Sequence, residues 1–118
     1  MLSNTPFQER CLVFSASVLK LVYQLPRSPA TRTISDQLLR SGTSVGANVQ
    51  EAKAAESRAD FVHKFQIALK EARETFYWLS LLQRSELLQG VLLEELVQEA
   101  SEIAAILAQS VITAKKNG

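Results

Sequence analysis

The chain has 118 residues, 47% of them hydrophobic and 21% charged, with a formal net charge of +1. That length predicts one domain, residues 1–118, with room for one real core, in the composition range of a soluble globular protein. The balance excludes a chain drawn as a whole to nucleic acid, so any basic patch must be local.

The first helix is predicted to begin at Thr5-Pro6-Phe7-Gln8, with Thr5 as N-cap, Pro6 in the first turn and Gln8 completing a capping box. Its apolar stripe is Phe7, Cys11, Phe14, Val18, Leu21 and Leu25, stepping by four and three as a packed seam does, and Pro26 ends it. The linker RSPATRT then offers Ser28, Thr31 and Thr33 as caps. A second helix is expected from about Thr33 to about Glu56. Its seam reads Ile34, Leu38, Ser41, Val45, Asn48, Ala52. Ser57-Arg58-Ala59-Asp60 follows as a new N-cap with an acidic third position, after a short break or within a bent continuation. The third helix, from about Ala59 to about Arg84, has the seam Phe61, Phe65, Ala68, Ala72, Thr75, Leu79, Leu82 and would span roughly 40 Å. Ser85 to Gly90 is the next connection, with Gly90 as breaker. The fourth helix runs from about Val91 to about Ala114, with the seam Leu93, Leu96, Ala100, Ile103, Leu107, Ser110. Lys115 and Lys116 complement the dipole at its end.

No segment alternates with period two over strand length, and glycine and proline are few, so no sheet is expected. The predicted fold is all-α, an antiparallel up-down-up-down four-helix bundle; the competing architecture is a helical hairpin swapped with a partner chain. The N-terminus lacks the basic and apolar segments of a signal peptide, and no uncharged run is long enough to cross a bilayer. One cysteine, Cys11, excludes an intrachain disulfide. A cytoplasmic protein with no membrane partner is expected.

The middle of the second helix, QLLRSGTSVGANVQEA, places small and polar residues where large apolar ones belong. Ser41, Ser44 and Asn48 have two readings that do not exclude each other. Small side chains let helix backbones approach closely, and one buried amide fixes the register and state of an oligomer. The apolar arcs are also wider than one bundle can bury. Leu92, Val97 and Val111 flank the fourth seam, and Val62, Leu69 and Phe76 the third, so a stable oligomer is expected.

Motifs that carry chemistry are few. There is no Gly-rich phosphate loop, no cysteine pair and no HExxH. His63, with Asp60 one turn before it, reads as a surface or interface residue in preference to a ligand or acid–base group. Cys11 reads as a buried small hydrophobe, since nothing supplies the cation and access a catalytic thiolate needs. Glu71, Glu74 and Trp78 share a face with Lys64. Without an ExxH spacing the two carboxylates read as an ion-pair network with Arg40 and not as metal ligands. Eight basic residues and five acidic ones lie between Arg27 and Arg73, against five glutamates and no base between Glu86 and Glu102. The fourth helix should therefore show an acidic outer face that includes Glu94, Glu95, Glu99 and Glu102. Helices two and three should be mildly basic: ordinary solvated faces or a nucleic-acid footprint at Arg32, Lys53, Arg58, Lys70 and Arg73.

QLLRSGTSVGANVQEA, SRADFVHKFQIALKEARETFYWLSLL and EEL..EASEIAAIL resemble the bacterial four-helix bundle family named for proteins encoded in intervening sequences of 23S ribosomal RNA genes. That family is related to the accessory variability proteins of diversity-generating retroelements. The resemblance runs from about Phe7 to about Ile112. It is carried by Arg40, Ser44, Gly46, Asn48 and Glu51, and by Asp60, Phe61, Lys64, Ala68, Glu71, Glu74, Trp78 and Leu79. It implies an antiparallel four-helix bundle assembled as a homopentamer, with no enzymatic activity; from the residues, no cofactor, metal or small-molecule substrate is expected either. Interface or structural roles are expected for Arg40, Ser41, Ser44, Gly46, Asn48, Glu51, Lys64, Glu71, Glu74 and Trp78. For the retroelement relatives the resemblance implies a basic barrel that engages RNA and a reverse transcriptase. This chain departs from them in its near-neutral balance and acidic fourth helix. Many relatives carry Glu-Gly after the Asn motif, where this chain has Glu51-Ala52, which favours an unbroken helix. The expected function is a non-catalytic oligomeric scaffold for RNA or a nucleoprotein. The alternative is a protein-interaction module without nucleic acid.

Overall fold

A computed structural model describes residues 6–117, almost all of them in four α-helices: α1 (Phe7–Tyr23), α2 (Pro29–Ala52), α3 (Arg58–Ser85) and α4 (Val91–Lys116). No strand occurs among the described residues. The longest dimension, 47 Å, is set by the helices, since the 28 residues of α3 alone span about 42 Å. Each helix packs against the next in the chain, and α4 returns to α1 in the slightest of the four contacts. The apolar stripes meet in one core, where Phe14, Leu21, Leu38, Leu79, Leu82, Leu93, Ile103 and Leu107 are fully buried. Each such side chain stabilises the fold by roughly 1.5–3 kcal/mol.

The helix ends differ from expectation in ways the backbone explains. Pro6 is the N-cap of α1, not a helical residue, and makes no side-chain cap bond; Thr5 lies outside the described residues. The capping box expected of Thr5 and Gln8 likewise falls outside the described residues, and the Gln8 amide donates to the Gln50 side chain on α2. Before Pro26, the amides of Gln24 and Leu25 bond three residues back, at 2.9 and 3.1 Å. That tightening follows from the steric exclusion of the α region just before proline.

α2 starts at Pro29, not Thr33. Of the three candidate caps Ser28 serves, its Oγ accepting from the Thr31 amide at 3.1 Å with Pro29 at the first helical position. At the other end Ala52 does not sustain the helix to Glu56. The amides of Lys53, Ala54 and Ala55 bond three residues back, and Ser57 turns extended to accept from the Asp60 amide at 3.0 Å. The break is real, and Ser57 caps α3. Glu86, in the left-handed region, ends α3, and Gly90 at φ 134° precedes α4. A positive φ costs glycine nothing extra.

The α2 seam holds at Ile34, Leu38, Ser41, Val45 and Ala52 and departs at one position. Gly42, Val45, Val49 and Ala52 are buried, whereas Asn48 is only half-buried at its edge. On α4, Val111 and Ala114 are buried where Ser110 was expected. Of the six flanking residues expected to be surplus, Val111 joins the core. Leu92, Val97, Val62 and Leu69 pack against it, and only Phe76 is exposed.

Candidate functional site

α2 presents different chemistry to its two neighbours. Toward α1 it is nearly bare. A Cβ on Gly42 would stand 3.1 Å from Val18, and one on Gly46 would stand 3.3 Å from the Ser15 hydroxyl and 3.4 Å from the Cys11 carbonyl. Ser15, itself buried, donates to the Gly42 carbonyl at 2.9 Å. The close approach predicted from the small residues is thus made with α1. It leaves an elongated groove of about 670 Å³ on the outer side, lined by Leu12, Ala16, Leu19, Gly46 and Ala47, with Gln50 and Lys53 at one end. Leu12 is 62% exposed and Leu19 45%. These two, and not the flanks of α3 and α4, carry the surplus apolar surface of this face.

Toward α3 the same helix is polar in two layers. The inner layer is a buried hydroxyl pair, Ser41 and Thr75, 2.9 Å apart. The pair reaches the Gln37 carbonyl at 2.9 Å and the Glu71 carbonyl at 2.7 Å, which satisfies both groups within the helices. The outer layer centres on Arg40. Its Nη1 donates to both Glu71 oxygens at 3.1 and 3.0 Å, its Nη2 to Glu74, and its Nε to the Gln37 side chain at 3.1 Å. Trp78 Nε1 donates to the same Glu74 oxygen at 3.0 Å. Farther along, Lys64 donates to Glu51 at 2.9 Å. The Asn48 amide turns back to the carbonyl and hydroxyl of Ser44, at 2.9 and 3.1 Å. Ser44, Asn48, Glu51, Lys64, Glu71, Glu74 and Trp78 therefore line one stripe along the α2–α3 seam, with Arg40 across it. Gly46 stands apart, on the α1 side.

The electrostatics follow from these bonds. The Trp78 indole, then the Arg40 guanidinium, hold the Glu74 carboxyl below its usual range. Glu74 and then Glu71 raise Arg40, and Glu51 raises Lys64. Glu71 and Glu74 are engaged by one guanidinium and an indole. No group of three or more His, Cys, Asp or Glu able to hold a metal occurs among the described residues. Burial pushes the Cys11 thiol up to about 12, so it stays protonated at neutral pH, and His63 is exposed.

The five cations proposed for nucleic acid are all exposed but stand apart in the single chain. Arg32 and Lys53 lie at opposite ends of α2, about 30 Å apart along its axis. Arg58 is occupied at the Ala114 carbonyl, at 3.2 Å. Lys70 and Arg73 are one turn apart on the outside of α3.

Sequence reasoning missed one pair and misplaced its acid. Glu99 is not on the outer face of α4. It is 4% exposed and bound at 2.7 and 2.6 Å by Arg10 of α1, which also reaches Glu102 at 2.8 Å. These contacts raise Arg10, and Gln98 followed by Arg10 lowers Glu102. The signal was present: Glu99 lies between Leu96 and Ile103 at core spacing. Glu94, Glu95 and Glu102 are exposed, as expected.

The family model for 23S rRNA-intervening sequence proteins matches residues 5–109. Among solved structures, the chain is similar to a protein of unknown function from the S23 ribosomal protein family of Bacteroides thetaiotaomicron VPI-5482. The two are 40% identical, with 90% of this chain and 98% of that one covered and a TM-score of 0.82. No curated protein matches the chain.

Proposed function

We propose that this chain, which belongs to the 23S rRNA-intervening sequence protein family, is a non-enzymatic, homo-oligomeric scaffold that binds RNA or a nucleoprotein. As one domain it forms an antiparallel up-down-up-down bundle. The bundle direction is supported by the order of cross-helix contacts: Gln8 meets Gln50 while Ser15 meets Gly42, and Arg40 meets Glu71 while Glu51 meets Lys64. The observation that carries the oligomer is the apolar α1–α2 groove with Leu12 and Leu19 exposed on it, since such surface on a small domain is characteristic of an interface. A homopentamer is the assembly its resemblance implies.

A structural role for the α2–α3 stripe is supported by its bonding. Every charged group in it has a partner within the chain, and Glu71 and Glu74 of α3 both face Arg40. The family's description records where such proteins are encoded, so the RNA reading is supported instead by the exposed cations Lys70 and Arg73, one turn apart on the outside of α3. The chain works in the cytoplasm on this reading; no helix among the described residues is long and apolar enough to cross a membrane. The second reading, a protein-interaction module, is favoured by one feature, the exposed acids Glu94, Glu95 and Glu102 beside one another on α4.

Two measurements test the proposal. Light scattering at micromolar concentration should give a multiple of the 13.1 kDa chain, and a monomer overturns the scaffold. Labelled structured RNA should bind more weakly as salt rises. No binding at low salt moves the assignment to the acidic face of α4.

A further inference from the structure

The charges of α3 are sorted by face. Of its three acids, Asp60 lies in the first turn, and Glu71 and Glu74 are held on the α2 side by Arg40. His63, Gln66, Lys70, Arg73, Tyr77 and Arg84 recur at helical spacing within an arc of roughly 80° on the outside of the helix. All six are exposed, no acid of α3 falls within that arc, and none of the four basic side chains joins a salt bridge among the described residues. At the centre of the stripe is an aromatic ring. Tyr77 is 57% exposed and is braced edge-on by Trp78, with ring centroids 5.1 Å apart. An exposed phenol ring flanked by unpaired cations combines the two elements of single-strand recognition: a track for phosphates and a platform for a base.

Resting on the RNA-binding reading above, we propose that this outer stripe of α3 is the nucleic-acid surface, and that it takes single-stranded RNA. Lys70, Arg73 and Arg84 hold phosphates and Tyr77 stacks a base. The stripe is roughly 30 Å long, enough for several nucleotides. Its like charges oppose its burial against the same stripe of a second copy, and a partner protein carrying only carboxylates would make no use of the ring. Arg32, Lys53 and Arg58 are not part of this surface.

The test uses the full chain and a labelled uridine oligonucleotide of about ten residues, with a matched RNA duplex and heparin as competitors. Binding is read by anisotropy and by the emission of Trp78, the only tryptophan in the chain, which adjoins the proposed stacking ring. Three phosphate contacts to a single strand give a salt slope near −2, a loss of about twentyfold between about 50 and about 200 mM salt. Lys70→Gln, Arg73→Gln and Arg84→Gln together should abolish that slope. Tyr77→Ala should weaken the oligonucleotide about tenfold or more, Tyr77→Phe should restore it, and heparin affinity should not change with either.

Oligonucleotide binding that survives the triple change overturns this surface while leaving RNA binding itself intact. A duplex bound as well as the single strand, or Tyr77→Ala without effect, overturns the single-strand assignment. A triple variant of altered assembly mass shows the stripe to be a subunit contact and likewise overturns it. No binding of any RNA by the unaltered chain is the distinct result that removes the underlying reading.

Discussion

Replacing Glu99 probes the most deeply buried ion pair among the described residues. Its carboxylate is almost wholly enclosed and receives two charge-assisted bonds from Arg10, whose side chain is 15% exposed. Removing one member of a buried pair costs about 3–5 kcal/mol, because the other charge is left without compensation. Arg10 would still reach Glu102 at the surface, so Glu99→Ala falls at or below the low end of that range, at about 2–3 kcal/mol. With 118 residues and about 2.1 cal/mol/K of unfolding entropy per residue, the midpoint falls by about 8–12 °C. Replacing both partners by apolar residues of similar volume, Arg10→Met with Glu99→Leu, removes the desolvation cost along with the attraction and should be neutral or stabilising. The assay is thermal and urea unfolding by circular dichroism at one fixed protomer concentration, since assembly makes the midpoint concentration-dependent. The reasoning is refuted if Glu99→Ala melts with the parent, or if the double variant is as unstable as the single one.

Four further outcomes are expected. Gly42→Val drives branched carbons into Val18 at a contact already tight for a single Cβ, and should cost about 1–3 kcal/mol in urea unfolding. At Gly90 nothing lies within 4 Å of an added Cβ, so Gly90→Ala carries only the penalty of its backbone, φ 134° and ψ 173°, about 1–3 kcal/mol. Asn48→Leu should leave helicity intact, because its amide serves only Ser44 of its own helix, but should change assembly mass or its homogeneity by light scattering; an identical mass and melt rejects Asn48 as an assembly specifier. Acid should loosen the bundle: Glu74 and Glu102 are held below the ordinary 4.5, so their contribution is complete above that value and is lost as pH falls through their lowered native values, measured as a decline in melting midpoint below about pH 4.5.

The four helices were legible because their apolar residues recur by threes and fours, and all four seams were largely right. On α2, Ile34, Leu38, Ser41, Val45 and Ala52 are buried as expected, and only Asn48 is half-buried at the edge, with Val49 beside it in the core. A hydrophobic count follows large side chains, so it passes over Thr31 and Gly42, which are buried as well. The same lack of bulk hid the partition of the helix. Its glycines meet α1, its hydroxyls and Arg40 meet α3, and no linear pattern says which neighbour a small residue faces. Glu99 was misplaced through the opposite error, a charge assigned to solvent by type when its spacing put it in the core and its partner lay 89 positions away. The helix ends were misjudged where Ser28 competed with Thr31 and Thr33, and where Ala52 promised continuity that the Ser57 cap overrode.

These differences bear on function through one geometric consequence. Because α2 spends its small residues on α1, the two helices lie close. Their outward side chains, Leu12 and Leu19 with Ala47, then form a groove with nothing bulky between them. Because α2 places Arg40 against α3, Glu71 and Glu74 are neutralised there, and what the middle of α3 turns outward is Lys70, Arg73 and Tyr77. The apolar and the basic surfaces thus arise from opposite faces of the same helix, and they are separable by mutation. Leu12→Gln with Leu19→Gln should lower assembly mass without touching the charge of α3. If RNA binding then falls although Lys70, Arg73 and Tyr77 are unchanged, the basic surface works only when several copies present it together, the multivalent gain that a scaffold supplies. If binding per chain is unchanged, one α3 stripe is sufficient, and the groove serves assembly alone.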